Sequence, residues 1–447
     1  MRLISVLLLL TVATTAYGTL FGSSVKLIEN LHKKLRRRYD ERFEKRLSPV
    51  IFVPGDGGSQ MDAIINKKDS VHFYCQKSSS TYFNIWLNKE LLVPFVIDCW
   101  IDNIRLVYDN VTRKTQNAPG VETRVPGFGS SETVEWIDPS HASEGAYFVN
   151  IGNALVQNGY KRDLSVRGAP YDFRKAPSKV NVIVRYRFIS IKSCHFTFAD
   201  ENKEWFIKMK HLVEETYTLN DDTPITFIVH SMGGPMTLLF LQMQSQQWKD
   251  QYIRRVISLA GAWGGSVKAL KCFAVGDDLG AFALSGDKMR AEQITNPSLA
   301  WLMPNPLLWK PNEVMVRSLS RSYTMDQLKD FFQDLDYING WEMRQDTLEY
   351  SLNFTAPGVE LHCLFGSGFN TVESLNYEKT YDFSGKPTLV YGDGDGTVNR
   401  RSLEACRHWS SQQKQPIYMR EFPGADHMTI LANLSVLDTI IKVLMYD

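Results

Sequence analysis

Four times along this chain a short apolar run of strand type recurs, and three of those runs stop at a glycine-rich turn. Residues 49–53 (PVIFV) end at Pro54-Gly55-Asp56-Gly57-Gly58, residues 225–229 at His230-Ser231-Met232-Gly233-Gly234, and residues 387–391 at Gly392-Asp393-Gly394-Asp395-Gly396. The fourth run is 256–259. Runs that are apolar on both faces belong to strands buried on both sides, and the helix-like stretch 235–246 after the second turn supplies a cover. The pattern predicts an α/β fold with a mostly parallel sheet sandwiched between helices. With 447 residues and 44% hydrophobic content, the chain can bury one large core carrying insertions.

The turns also carry chemistry. Ser231 lies on a strand-to-helix turn followed by glycines, where its hydroxyl would stand clear of the backbone as a nucleophile. Asp395 lies in the loop after another strand, and His427 lies near the C-terminus in Gly424-Ala425-Asp426-His427. A serine needs a base to take its proton and donors to hold the oxyanion that follows. The chain order Ser, Asp, His is that of α/β-hydrolases, so the expected triad is Ser231, Asp395 and His427. Taken singly, each piece has an ordinary reading: a buried turn, a calcium or turn loop, a structural histidine. Their conjunction favours catalysis, with no metal or cofactor required. The oxyanion donors are expected at the Met232 backbone N–H and in the loop holding Asp56. An ionised Asp56 would repel an oxyanion, whereas a protonated one can donate to it, so an acidic optimum is expected. The alternative for Asp56 is a loop-capping role.

Residues 1–18 read as a cleaved secretory signal: Arg2, an apolar stretch, then Ala16-Tyr17-Gly18. The alternative is an uncleaved anchor. A basic amphipathic lead-in covers 19–48, with the hydrolase from 49 to 447. Secretion makes disulfides the natural reading of the six cysteines; Cys75 and Cys99 would close a loop of about 25 residues, for about 3 kcal/mol. Asn110, Asn353 and Asn433 each begin a glycosylation sequon. Fifty basic residues against 49 acidic ones leave a formal charge of +1, which argues against nucleic acid as a partner.

Several stretches resemble the lecithin:cholesterol acyltransferase family, and most closely its lysosomal phospholipase A2 branch. They are VPGDGGSQ (53–60), IWLNKELLVPFVIDCWIDNIRLVY (85–108), RVPGFG (124–129), RGAPYDFR (167–174), HSMG (230–233), FFQDLDYINGWEMRQDT (331–347), LHCLFG (361–366) and YGDGDGTVN (391–399). The resemblance covers nearly all of the chain beyond the signal. It implies an α/β-hydrolase fold, a membrane-binding module at 71–109 and a cap at 266–357 with a mobile lid near 268–293. It also implies disulfides Cys75–Cys99 and Cys363–Cys406. The activity it implies is transfer of a fatty acyl group from phospholipid through Ser231 to water or a lipid alcohol such as ceramide, at acid pH. The expected partner is a phospholipid membrane surface, the expected state a monomer, and the expected location the lysosome or the exterior. In the module, Trp86, Leu87, Leu91 and Leu92 are the residues expected to enter lipid, where exposed aromatic and aliphatic side chains are stable; the alternative is that such residues pack in the core.

The chain departs from the family pattern at Val229, Gly234 and Gly261-Ala262, and Val229 is expected to crowd the elbow. Residues 178–200 are an insert; their ends can be encoded as intron boundaries, so they read as a retained in-frame intron, with a lineage-specific surface loop as the alternative. The insert adds Cys194, an odd thiol able to mispair with Cys272. Two rival functions stand beside the lipid acyltransferase: a secreted phosphatidylcholine-sterol acyltransferase, and a catalytically impaired lipid-binding protein.

Overall fold

The computed structural model describes residues 47–177, 202–280, 284–377, 383 and 385–445. The expected signal, almost all of the lead-in, and the insert 178–200 with Cys194 lie outside these residues. Residues 48 to 447 form one unit in which every feature below is found.

Val50–Val53 (β1) is buried at all four positions, as a run apolar on both faces requires. It lies inside a parallel sheet with Val166–Gly168 (β2), Ile225–His230 (β3), Ile253–Leu259 (β4), Glu360–Ser367 (β5) and Ile417–Pro423 (β6), in the order β6-β5-β4-β3-β1-β2. The helix Lys203–Leu219 packs on β3 through Trp205, Phe206, Met209, Leu212, Val213 and Thr216, a stripe at helical spacing. Gly233–Gln242 leaves the nucleophile turn and is buried nearly all round; Pro235 falls in its first turn, where a missing N–H costs nothing. This is the α/β fold with a mostly parallel sheet anticipated from the apolar runs.

One run is placed differently. Thr388–Gly392, expected as a core strand, pairs antiparallel with Thr371–Tyr377 in a separate four-stranded sheet that also holds Val314–Ser318 and Ser322–Thr324. The reason is visible in the burial: its five positions run from half-buried to exposed, so it covers one side of a small sheet and not the middle of a large one. The cap sheet therefore draws two strands from beyond the expected boundary at 357.

The module on the other flank is a three-stranded sheet, Met61–Ile65, Phe83–Trp86 and Val121–Arg124, followed by the helix Ile97–Ile104 (α1). α1 buries Ile97, Trp100, Ile101 and Ile104, and the Trp100 indole donates to the Ile85 carbonyl at 2.9 Å. A Cys75–Cys99 disulfide ties the preceding loop to this helix, and Cys363 is bonded to Cys406.

Candidate active site

Ser231 directly follows β3 with φ of 53°, a left-handed conformation that an L-residue adopts only when its surroundings impose it. They do so here. The Ser231 N–H donates to the Leu259 carbonyl at 3.1 Å, and the next helix begins at Gly233, where an added Cβ would lie 2.4 Å from the Val53 carbonyl oxygen. Gly55 is equally constrained, since its Cβ would meet the Ser231 Cβ at 2.6 Å. The two glycines let the loop after β1 touch the Ser231 turn. Val229 does not distort this turn: it is fully buried, and the β3–β4 ladder runs past it to His230.

His427, in the loop after β6, places Nε2 2.9 Å from the Ser231 Oγ and Nδ1 2.7 Å from Asp395 Oδ2. Asp395 is fully buried, and its other oxygen accepts the backbone N–H groups of Thr397 (3.0 Å) and Val398 (2.7 Å). With Nδ1–H given to the carboxylate, Nε2 presents its lone pair to the serine hydroxyl, the arrangement of a general base. Among the described residues, neither the Met232 nor the Asp56 backbone N–H donates to a protein acceptor, so both expected oxyanion donors are free.

Asp56 is exposed to water. Desolvation by the surrounding protein pushes its carboxyl from 3.8 up to about 7, against the opposing pull of Lys268 and the Gly57 N–H. Water contact screens part of that rise, leaving the carboxyl above the ordinary range. A second acid escaped the sequence reading. Glu292, on the helix Gly286–Gln293, is buried, and desolvation raises it to about 7, with the charges of Asp56 and Asp172 adding to the rise. Its carboxylate accepts from Asn296 Nδ2 at 2.8 Å, and this bond and Arg174 oppose the shift.

His230 and Tyr147 were also missed. His230 Nε2 lies 2.8 Å from the His427 carbonyl oxygen, which can only accept, so Nε2 carries the proton and Nδ1 is an acceptor. The Tyr147 hydroxyl donates to that Nδ1 and accepts the Gly55 N–H at 2.9 Å. A directed chain, Gly55 to Tyr147 to His230 to His427, thus links the loop after β1 to the histidine beside Ser231. Burial, with the neighbouring His427, holds His230 well below 6.5 and keeps it neutral. His230 was in view beside Ser231; its partner 83 positions away was not.

The lipid-entering residues need correction. Trp86 is only 8% exposed; its indole donates to the Gly57 carbonyl at 2.8 Å and packs on Trp100 and Phe173. It roofs the oxyanion loop from inside. Leu87, Leu91 and Leu92 are half-buried. The side chains that do face outward are Phe73, 96% exposed, and Phe95, 83% exposed, with Val71, Tyr74 and Val93 beside them. The strand Phe83–Trp86 buries both of its last two residues, and Trp100 and Phe173 hold the Trp86 ring inside, whereas Val93 and Phe95, just after Leu92, are exposed. Of the sequons, Asn110 and Asn353 are exposed, while Asn433 accepts the Ser435 and Val436 N–H groups as a helix cap. Cys272 is buried, and burial pushes its thiol up to about 12.

Known proteins resemble the chain over most of its length. The family model described as lecithin:cholesterol acyltransferase matches residues 82–434. The human protein named lysosomal phospholipase A and acyltransferase is 42% identical over 400 residues, covering 90% of this chain and 91% of its own. The chicken (Gallus gallus) phosphatidylcholine-sterol acyltransferase is 39% identical over 389 residues, covering 87% and 88%. Among solved structures, a chain of the Tle4–Tli4 complex superposes with a TM-score of 0.53 at 12% identity, covering 89% of this chain and 99% of that one, which speaks to the fold alone.

Proposed function

The chain belongs to the lecithin:cholesterol acyltransferase family, and from that premise we propose that it moves a fatty acyl group from a glycerophospholipid through Ser231 to water or a lipid alcohol such as ceramide, in an acidic compartment. The observation that carries this is the hydrogen-bonded sequence Ser231 Oγ, His427 Nε2, His427 Nδ1, Asp395 Oδ2 beside two unoccupied N–H donors. His427 takes the hydroxyl proton as Oγ attacks the ester carbonyl, and the oxyanion falls against the Met232 and Asp56 N–H groups. Collapse expels the lysophospholipid alcohol, which takes the proton from His427. Water or the acceptor hydroxyl then gives its proton to His427 and attacks the acyl-serine; collapse breaks the bond from Ser231 Oγ to the acyl carbon, the proton passes from His427 back to Oγ, and the acyl group leaves as fatty acid or acylated acceptor. A protonated Asp56 adds a donor near the oxyanion; an ionised one opposes it, and this supports an acid optimum. The two disulfides suit an oxidising compartment such as the lysosome or the exterior. No helix among the described residues is long and apolar enough to cross a membrane, which fits a peripheral encounter with lipid.

The test is incubation of the purified protein with phospholipid vesicles containing ceramide or cholesterol from pH 4 to 8. Fatty acid release and acylceramide formation should peak in acid, and Ser231→Ala should lower both by about four to six orders of magnitude. Preferential acylation of cholesterol would move the assignment to the sterol branch, and a flat pH profile would remove the role given to Asp56.

A further inference from the structure

A cleft of about 520 Å³ opens on the flank of the disulfide-tied module, away from the triad, lined among others by Lys67, Lys68, Asp69, Val71, Asp102 and Arg105. Its size is that of a small-molecule site. Three cations face two carboxylates there, so one positive charge is in excess. Lys67 is spent: its ammonium is paired with the Asp102 carboxylate and reaches the Asp102 carbonyl and Asn103 Oδ1, both at 3.1 Å. Arg105 meets the same carboxylate only at 3.4 Å, from Nε and Nη2, which leaves most of its fork uncommitted. Lys68 and Asp69 are exposed, and among the described residues neither side chain has an ion-pair partner. The free groups are thus a guanidinium, an ammonium and a carboxylate.

We infer that this cleft holds the headgroup of a zwitterionic phospholipid of the bilayer, with Arg105 and Lys68 on its phosphate and Asp69 facing its cationic end. A guanidinium fork matches a phosphate, and a carboxylate beside it would repel a purely anionic ligand while suiting one with a cationic end. The position also fits. Val71 lines the cleft and opens the outward apolar stretch that includes Phe73, and α1 starts just after the other exposed tip at Phe95. Arg105 lies eight residues beyond Ile97, about 12 Å along the helix axis from its start, and Asp102 about 7.5 Å. Apolar side chains at an interface sink about 5–10 Å toward the acyl layer, so with the tips immersed the cleft stands at headgroup height. It would bind lipid that is not being cleaved and hold the open side of the enzyme on the surface. The inference rests on the reading that the enzyme works at a phospholipid surface.

Flotation with vesicles tests it, using Ser231→Ala protein so that lipid is not consumed. Arg105→Gln with Lys68→Gln should weaken binding to phosphatidylcholine vesicles about tenfold and leave binding to vesicles of an uncharged, phosphate-free glycolipid unchanged. Asp69→Asn should weaken binding to phosphatidylcholine but strengthen binding to phosphatidylglycerol. Unchanged phosphatidylcholine binding, or equal loss on both vesicle types, overturns the site. Competition by inorganic phosphate at the concentrations that suffice for lipid would show a free-anion site and overturn the headgroup assignment. In a Ser231 background these variants should cleave a soluble ester at the wild-type rate. Should the wild-type protein fail to cleave phospholipid while binding still depends on Arg105, the catalytic reading falls and the site stands.

Discussion

Around Ser231 the backbone is held in a conformation it would not choose, by buried partners on every side; Phe73 and Phe95 are large apolar side chains that stand mostly in water. Both regions meet at Trp86, whose indole caps the Gly57 carbonyl within a module whose outer turn is bare. The contrast teaches what each region spends energy on. A strained elbow persists only where surrounding packing over-determines it, so buried hydrogen bonds there are many and directional. An exposed apolar turn costs free energy in water that only a nonaqueous partner returns, so few contacts are needed beyond the Cys75–Cys99 bond that holds its shape.

Removing one hydroxyl should break the first region most severely. Tyr147→Phe leaves the Gly55 N–H and His230 Nδ1 without partners in a buried place, at about 1–3 kcal/mol for each. Expressed through the oxyanion loop and His427, kcat on a soluble ester should fall about tenfold to a hundredfold with little change in KM. Unchanged kcat would show that the chain from Gly55 to His427 does no positioning.

Charging the second region should separate the two. Phe73→Asp with Phe95→Asp should cut activity on vesicles about tenfold, given the cost of placing charge in an apolar layer, and spare a soluble ester. Equal loss on both substrates would mean that these residues support the fold. Charged replacement of the half-buried Leu91 and Leu92 should affect both substrates.

The smallest effects concern pH, and their sign follows from the shifts. Glu292 is raised in the fold, so its stabilising contribution is complete below its unfolded value of 4.5 and is lost as pH rises through about 7. Glu292→Gln should therefore raise Tm at pH 7.5 by about 2 °C and change little at pH 4. His230 is depressed, so its contribution is present above 6.5 and fades as pH falls, in the opposite sense. Asp56→Asn keeps a donor at neutral pH and should carry the alkaline limb of the activity profile upward by less than one unit. A Tm difference that is the same at both pH values would show that Glu292 does not titrate in this window.

How much was legible follows the range of each interaction. The three side chains that hydrogen-bond at Ser231 could be singled out because each lies in a turn or loop with its own local signature, and the fold because strands buried on both faces leave continuous apolar runs. Thr388–Gly392 misled because an apolar run states that a strand is covered, not by which sheet. Trp86 misled because its aromatic character is the same whether it faces lipid or Gly57. Glu292 and Tyr147 left no local mark: the one is an ordinary acid on a polar helix, the other an ordinary tyrosine before a helix.

By itself, then, the sequence determined the parallel core, the nucleophile turn and the kinds of residue the chemistry requires, since these depend on neighbours within a few positions. Only the tertiary structure decided which aromatic rings face water, which sheet receives the strand before Asp395, and which buried groups steer His427. Those outcomes depend on atoms brought together from distant positions, where burial and hydrogen-bond direction are set by packing and not by residue type.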